Sequence, residues 1–179
     1  MSGDPDPGGP PRAAMVAALA LAVGTIVGIL VFAAIRQSPR HPVAVAALPA
    51  PQADSPACQA LLTALPQRLG DFQRADIAQP APQGARAWRS GADTEPVVLR
   101  CGLNRPGEFV VGSPIQGVDR VQWFEVPAQP GTSTWYTVDR PVYVALTLPA
   151  GSGPAPIQEI SGVIDRTIAA VPIDPAPAR

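Results

Sequence analysis

Val97-Val98-Leu99-Arg100-Cys101-Gly102-Leu103 is the stretch on which the reading of this chain turns. Its β-branched and aliphatic residues follow a period of two. Val97, Leu99, Cys101 and Leu103 therefore share one face of a strand, and Arg100 points to the other. Asn104-Arg105-Pro106-Gly107 then reads as a turn. Three further β-rich runs follow, at 118–126, 133–138 and 142–148, divided by Pro and Gly signals. Their short connections predict a largely antiparallel sheet. Residues 71–95 are polar and rich in Pro and Gly and read as loop, with a short strand at 86–89 carrying Trp88.

Helices bracket this sheet. Ser55-Pro56 is a start signal: Ser is a good N-cap, and Pro suits the first helical position, where its missing N–H has no partner to lose. Cys58, Leu61, Leu62, Leu65 and Leu69 recur at helical spacing, and Pro66 is expected to kink or end the helix near Leu65. A second helix is predicted over 156–170, with Ile157, Ile160, Ile164 and Ile168 as its buried stripe and Pro172 as its stop. The fold class expected is α+β: one small two-layer domain, mostly antiparallel sheet with two flanking helices on one face.

Ahead of this domain, residues 13–35 (AAMVAALALAVGTIVGILVFAAI) are apolar throughout, between Arg12 and Arg36. As a helix the run is about 34 Å long, against roughly 30 Å of hydrocarbon in a bilayer. It is expected to span a membrane as an uncleaved signal anchor, being longer than the apolar core of a cleaved signal peptide. Residues 1–12 are expected to form a disordered cytoplasmic tail. Residues 36–54 read as a Pro/Ala-rich linker, 55–172 as the extracytoplasmic domain, and 173–179 as a second disordered tail.

The chain carries a formal net charge of -1, so it has no electrostatic footprint for nucleic acid. Its 13 basic residues are all Arg, a bias of GC-rich bacterial genomes. Arg36 and Arg40 outnumber Arg12 across the span, which by charge alone would place the domain in the cytoplasm. The cysteines argue the other way. Cys58 and Cys101, the only two, both fall on inward faces. A bridge between them would close a loop of about 43 residues and contribute roughly 4 kcal/mol. It would also require an oxidising compartment. The alternative is two buried free thiols. Two distant Cys and a single His make no metal site, and no cofactor is indicated.

The order of Cys58-Gln-Ala-Leu-Leu-Thr-Ala-Leu-Pro66, Val97-Val-Leu-Arg-Cys-Gly102, the Trp123 segment, Val138-Asp-Arg-Pro-Val-Tyr-Val144 and Leu148-Pro149 resembles an actinobacterial envelope family, domain of unknown function 3515. The resemblance covers roughly residues 55–172. It implies an N-terminal anchor or signal sequence and an exported domain, and brings no catalytic or binding residue with it.

Candidate chemistry is sparse. His41 sits in the linker without a scaffold for base catalysis. Asp119, Glu125 and Asp139 are the carboxylates that a hydrolase would use, with surface placement or structural ion pairing as the alternative. Arg100 and Arg140 are candidate ligand-binding residues, because a guanidinium fork matches carboxylate or phosphate. Trp123 and Trp135, with Trp88, could add flat surfaces beside them, or lie in the core. No catalytic residue is assigned. The expected function is a non-enzymatic binding or accessory module of the cell envelope. Its partners would be the bilayer, through the N-terminal helix, and an envelope component or membrane protein. The other readings are an envelope enzyme using carboxylates on an open sheet face, and a structural subunit of a membrane complex, for which Gly24-x-x-x-Gly28 is a packing signal.

Overall fold

A computed structural model of the chain describes residues 12–36, 41–126 and 131–178. The tail expected at 1–12 lies, apart from Arg12, outside them. Helix α1, Arg12–Arg36, forms one unit, and the rest of the chain from Arg40 forms another. Within α1, Ala13–Phe32 has a mean hydropathy of 2.6 and no buried residue, so it is long and apolar enough to cross a membrane. Thr25, its polar intruder, donates its hydroxyl to the carbonyls of Leu21 and Ala22.

The second unit is α+β. Helix α2 is Pro56–Ala64 and α3 is Ala155–Thr167. The strands are β1 Arg68–Leu69, β2 Phe72–Ala75, β3 Ala85–Arg89, β4 Val97–Leu103, β5 Gln116–Val118, β6 Val121–Val126, β7 Thr132–Thr137 and β8 Tyr143–Pro149. All pair antiparallel in one sheet, in the order β1-β2-β3-β4-β8-β7-β6-β5. Two four-stranded meanders thus meet at a β4–β8 seam. The two seam strands are apolar on both faces, which is the composition a central strand needs.

The helices cover one face. Cys58, Leu61 and Leu65 from the α2 segment and Ile160, Val163, Ile164 and Ile168 from the α3 segment close over Trp88, Val97, Leu99, Trp123, Val144 and Leu146. Ser55 caps α2 by accepting a hydrogen bond from the Cys58 amide at 3.3 Å, and Pro56 occupies the first turn. At the other end Leu65 turns extended. Arg74 then donates to the Leu65 and Pro66 carbonyls at 2.9 and 3.0 Å, and the Trp88 indole donates to Pro66 at 3.1 Å. These bonds satisfy carbonyls at the C-terminal end of α2, where the helix dipole also favours a cation. Cys58 and Cys101 form a disulfide, their Cα atoms 5.6 Å apart, which ties α2 to β4.

Four expectations change. Residues 71–95 hold β2 and the whole of β3, not one short strand. Phe72-Gln-Arg-Ala carries no periodic signal of its own and is extended because it pairs with β3. The run 118–126 holds the last residue of β5 and all of β6, a hairpin that starts at Gln116 and turns at Asp119, which adopts a left-handed φ of 52° that Asp tolerates. The 36–54 linker is no free spacer over its described part. Val43 is 1% exposed against Ala87 and Val98, and its amide and carbonyl pair with the loop after β2 at 2.7 and 2.9 Å. Farther on, the Gln52 amide donates to Gly102 at 3.1 Å. The tail at 173–178 is not loose either: Ala176 pairs with Phe109 and Val111, and Asp174 faces Arg105 at 3.7 Å. To reach that position the chain leaves helix at Ile168, short of the expected Ala170.

Two outcomes test this architecture. The oxidised chain, denatured without reductant, should expose no maleimide-reactive thiol, and the double variant Cys58→Ala, Cys101→Ala should lose about 2–4 kcal/mol in denaturant unfolding. Gly102 has a φ of +87°, and a Cβ there would overlap the backbone of Gln52 and Ala53. Gly102→Ala should therefore destabilise by roughly 2–4 kcal/mol and free the Gln52 amide to hydrogen exchange, read by thermal melting and by exchange mass spectrometry.

Candidate functional site

Cross-strand partners share a face, so the pairing register sorts every candidate residue. On the face away from the helices one row runs Ala85, Arg100, Ala145, Tyr136, Phe124, and the next runs Ala87, Val98, Thr147, Thr134, Val126. Two chain segments cover the flanks of this face. Val43 and Val45 lie over Ala87 and Val98 on one side. Phe109 packs on Phe124, at 5.2 Å between ring centroids, with Val138 and Tyr143 on the other. Between these flanks, Arg100, Thr147, Thr134 and Tyr136 remain half-buried and open to solvent.

Arg100 stands out within this strip. Its Nε is buried without a hydrogen-bond partner, and it forms no ion pair among the described residues. Burial pushes its guanidinium below the ordinary value, while neighbouring Tyr136 pulls the other way. Burial likewise holds the Tyr136 hydroxyl above its usual range; Arg100 opposes that shift and Glu108 adds to it. One row on, the Thr134 and Thr147 hydroxyls are hydrogen-bonded at 3.0 Å. The strip thus offers a forked cation, a protonated phenol and two hydroxyls on one shallow floor. By its chemistry that set matches an oxyanion or a polar, hydroxyl-bearing group.

The other sequence candidates do not join it. The Arg140 side chain is fully buried; its Nη1 lies 2.8 Å from Asp139, and its Nη2 donates to the Arg120 carbonyl at 2.9 Å and faces Asp165 at 3.7 Å. It joins two hairpin turns to α3, and its charge is spent on structure. Trp123 is fully buried on the helix face, with its indole donating to Ser161 at 2.9 Å. Trp135 is half-buried on that same face and donates to Ser133 at 3.1 Å. Neither shares a surface with Arg100. The aromatic partner of an arginine is instead Trp88, beneath Arg74 at 4.7 Å. That pair follows from the β2–β3 register and could not be read from a segment taken as loop.

The carboxylates also separate. Asp139 is bound up with Arg140, while Asp119 and Glu125 are exposed, one before β6 and one near its end, roughly 20 Å apart along the strand. Among the described residues no three His, Cys, Asp or Glu side chains gather where a metal would sit. Tyr136 was the residue missed. Its signal was its place in 133–138, which fixes its face only once β7 is registered against β8.

The comparisons with known proteins now bear on the chain. The family described as Protein of unknown function (DUF3515) matches residues 19–173. The chain belongs to this family. The match begins inside α1 and takes in the segment before α2, so it is wider than the 55–172 expected from sequence. No curated protein and no solved structure matches the chain.

The two tyrosines provide a direct check on the open face, since Tyr143 is also raised by burial, with Arg105 opposing and Asp174 adding. In the folded chain both phenols should ionise above about 10, the value for an unfolded Tyr. The stability these two groups contribute should be present below about pH 10 and be lost as pH rises through the folded values, because burial favours the uncharged phenol. Ultraviolet titration near the phenolate band, folded against denatured, measures this. Tyr136→Phe should remove the titration attributable to that residue and lessen the alkaline loss of stability.

Proposed function

We propose that this chain is a membrane-anchored, non-enzymatic binding module of the bacterial cell envelope, with its sheet domain outside the cytoplasm. One observation carries the reading: Arg100 sits half-buried on the open sheet face without an anionic partner, beside Tyr136. A charge kept partly desolvated and unpaired costs stability, and such groups concentrate where a ligand completes them. The apolar helix supports the anchor, and the disulfide supports export, since such bonds persist in oxidising compartments. The dispersal of Asp119, Glu125 and Asp139 weighs against the hydrolase alternative. An accessory role in a membrane complex would use the same open face.

Two measurements test the proposal. Alkaline phosphatase fused after Arg179 should be active in cells, and a green fluorescent fusion there should be dark; the reverse pattern places the domain in the cytoplasm and sinks the reading. A photo-cross-linking residue at Thr134 should capture an envelope component in intact cells, and Arg100→Gln should reduce that adduct severalfold. An adduct indifferent to Arg100→Gln would separate this arginine from binding.

A further inference from the structure

A second group of cations without ion pairs among the described residues, Arg74 and Arg86, lies off the Arg100 row, beside its end residue Ala85. Where β2 runs into the loop before β3, a pocket of about 440 Å³ is lined by Arg74, Asp76, Ile77, Gln79, Pro82 and Arg86, among others, and Arg100 is not part of it. The two arginines are held there for different reasons. Arg74 is fixed by its bonds to the Leu65 and Pro66 carbonyls and by stacking on Trp88, yet its Nε is buried with no hydrogen-bond partner. Arg86, half-buried, has one polar contact among the described residues, from Nη1 to its neighbour's carbonyl, Ala85, at 2.7 Å.

Neither guanidinium is ion-paired, with Asp76 or with any other described carboxylate. They repel each other: Arg74 is pushed below its ordinary value first by burial and then by Arg86. Two cations and one carboxylate leave the pocket with one unbalanced positive charge. A single anionic group entering it would relieve the repulsion and meet the Arg86 guanidinium, which has no ion pair and only the one backbone contact among the described residues, in charge-assisted hydrogen bonds.

We propose that this pocket binds a singly charged oxyanion carried on a ligand, a carboxylate or a phosphodiester, with Arg86 as the anchor and Arg74 as a fixed second charge. Asp76, on the same wall, disfavours more highly charged groups. The site borders the open-face strip at Ala85 but does not require the binding role proposed for Arg100.

The Trp88 indole lies under Arg74 and reports on the pocket locally. The full-length oxidised chain in zwitterionic detergent is titrated with sodium acetate and with dimethyl phosphate, at ionic strength held constant with sodium chloride. Indole N–H resonances are followed by nuclear magnetic resonance. The Trp88 signal should move saturably with at least one of these anions, while those of Trp123 and Trp135 stay in place. Which anion acts identifies the group. Arg86→Gln should weaken binding about tenfold or more, as expected for loss of a charge-assisted fork. Asp76→Asn removes the opposing charge and should tighten it about threefold. Arg100→Gln should leave it unchanged. The chain in phosphatidylcholine and phosphatidylglycerol nanodiscs separates the sources. A lipid headgroup in the pocket moves the Trp88 signal in the second disc only, and not in Arg86→Gln; a soluble ligand leaves both discs alike. The proposal is overturned if neither anion moves Trp88 saturably, or if Arg86→Gln and Asp76→Asn both bind as the wild type does. Because Asp76→Asn is read as a gain, an unfolded Arg86→Gln would not remove the test.

Discussion

Strands β4 and β8 meet from Val98 opposite Thr147 to Cys101 opposite Val144 and, past a bulge, at Leu103 opposite Tyr143, and that seam joins two four-stranded meanders into one sheet. Each meander alone would leave a long apolar edge unpaired, a liability that proteins avoid. Joined, the sheet ends on its two shortest pieces, β1 and β5. The seam strands carry most of their residues buried, so they tolerate no slip in register: a shift of one residue would send Arg100 into the helix-side core and Leu99 to the open face. The disulfide reinforces that choice, because a one-residue slip would turn Cys101 away from α2.

Once the seam is set, the two faces of the sheet meet different demands. The helix side is an apolar core in which several polar groups are matched, as with the Trp123 indole on Ser161 or the Thr137 hydroxyl, which accepts from the Val144 amide at 3.0 Å. The opposite side is covered by extended chain, not by a third helix. Those segments hold through backbone hydrogen bonds and a few apolar anchors, Val43 and Phe109 foremost. Extended coverage is thin and incomplete, and the gap between the two segments is where Arg100 and Tyr136 reach solvent. The incompleteness of that layer thus creates the candidate site.

The arginines show how context divides one residue type into separate roles. Arg140 is neutralised by Asp139 and by Asp165 and joins turns to a helix. Arg74 closes the end of α2 and stacks on Trp88. Arg86 and Arg100 have no such employment. A buried pair adds little to net stability even when complete, but an unpaired half-buried cation is a standing cost. In a chain whose positive side chains are all Arg, the ones left without partners are the informative ones.

The order of residues was enough to determine the elements whose signal is local. The apolar helix followed from the unbroken run before Arg36, α2 from Ser55-Pro56 and its leucines, and the seam strand from Val97–Leu103. The Cys58–Cys101 bridge followed from two inward faces, because helical and strand periodicities each fix where a side chain points. Other features depend on partners far away in the chain. Strand β2 is extended through pairing with β3, the segment at 41–54 is ordered by contact with Val98 and Gly102, and the final residues are held by Phe109 and Val111. Arg100 and Arg140 both stand in β-rich surroundings, Arg100 inside an apolar run and Arg140 directly after Asp139. The tertiary structure completes the distinction, adding Asp165 and the Arg120 carbonyl to the Arg140 guanidinium that already has Asp139 beside it, and bringing no described anion to Arg100. Charge pairing acts through space over a few ångströms, and sequence spacing alone carries no record of that distance.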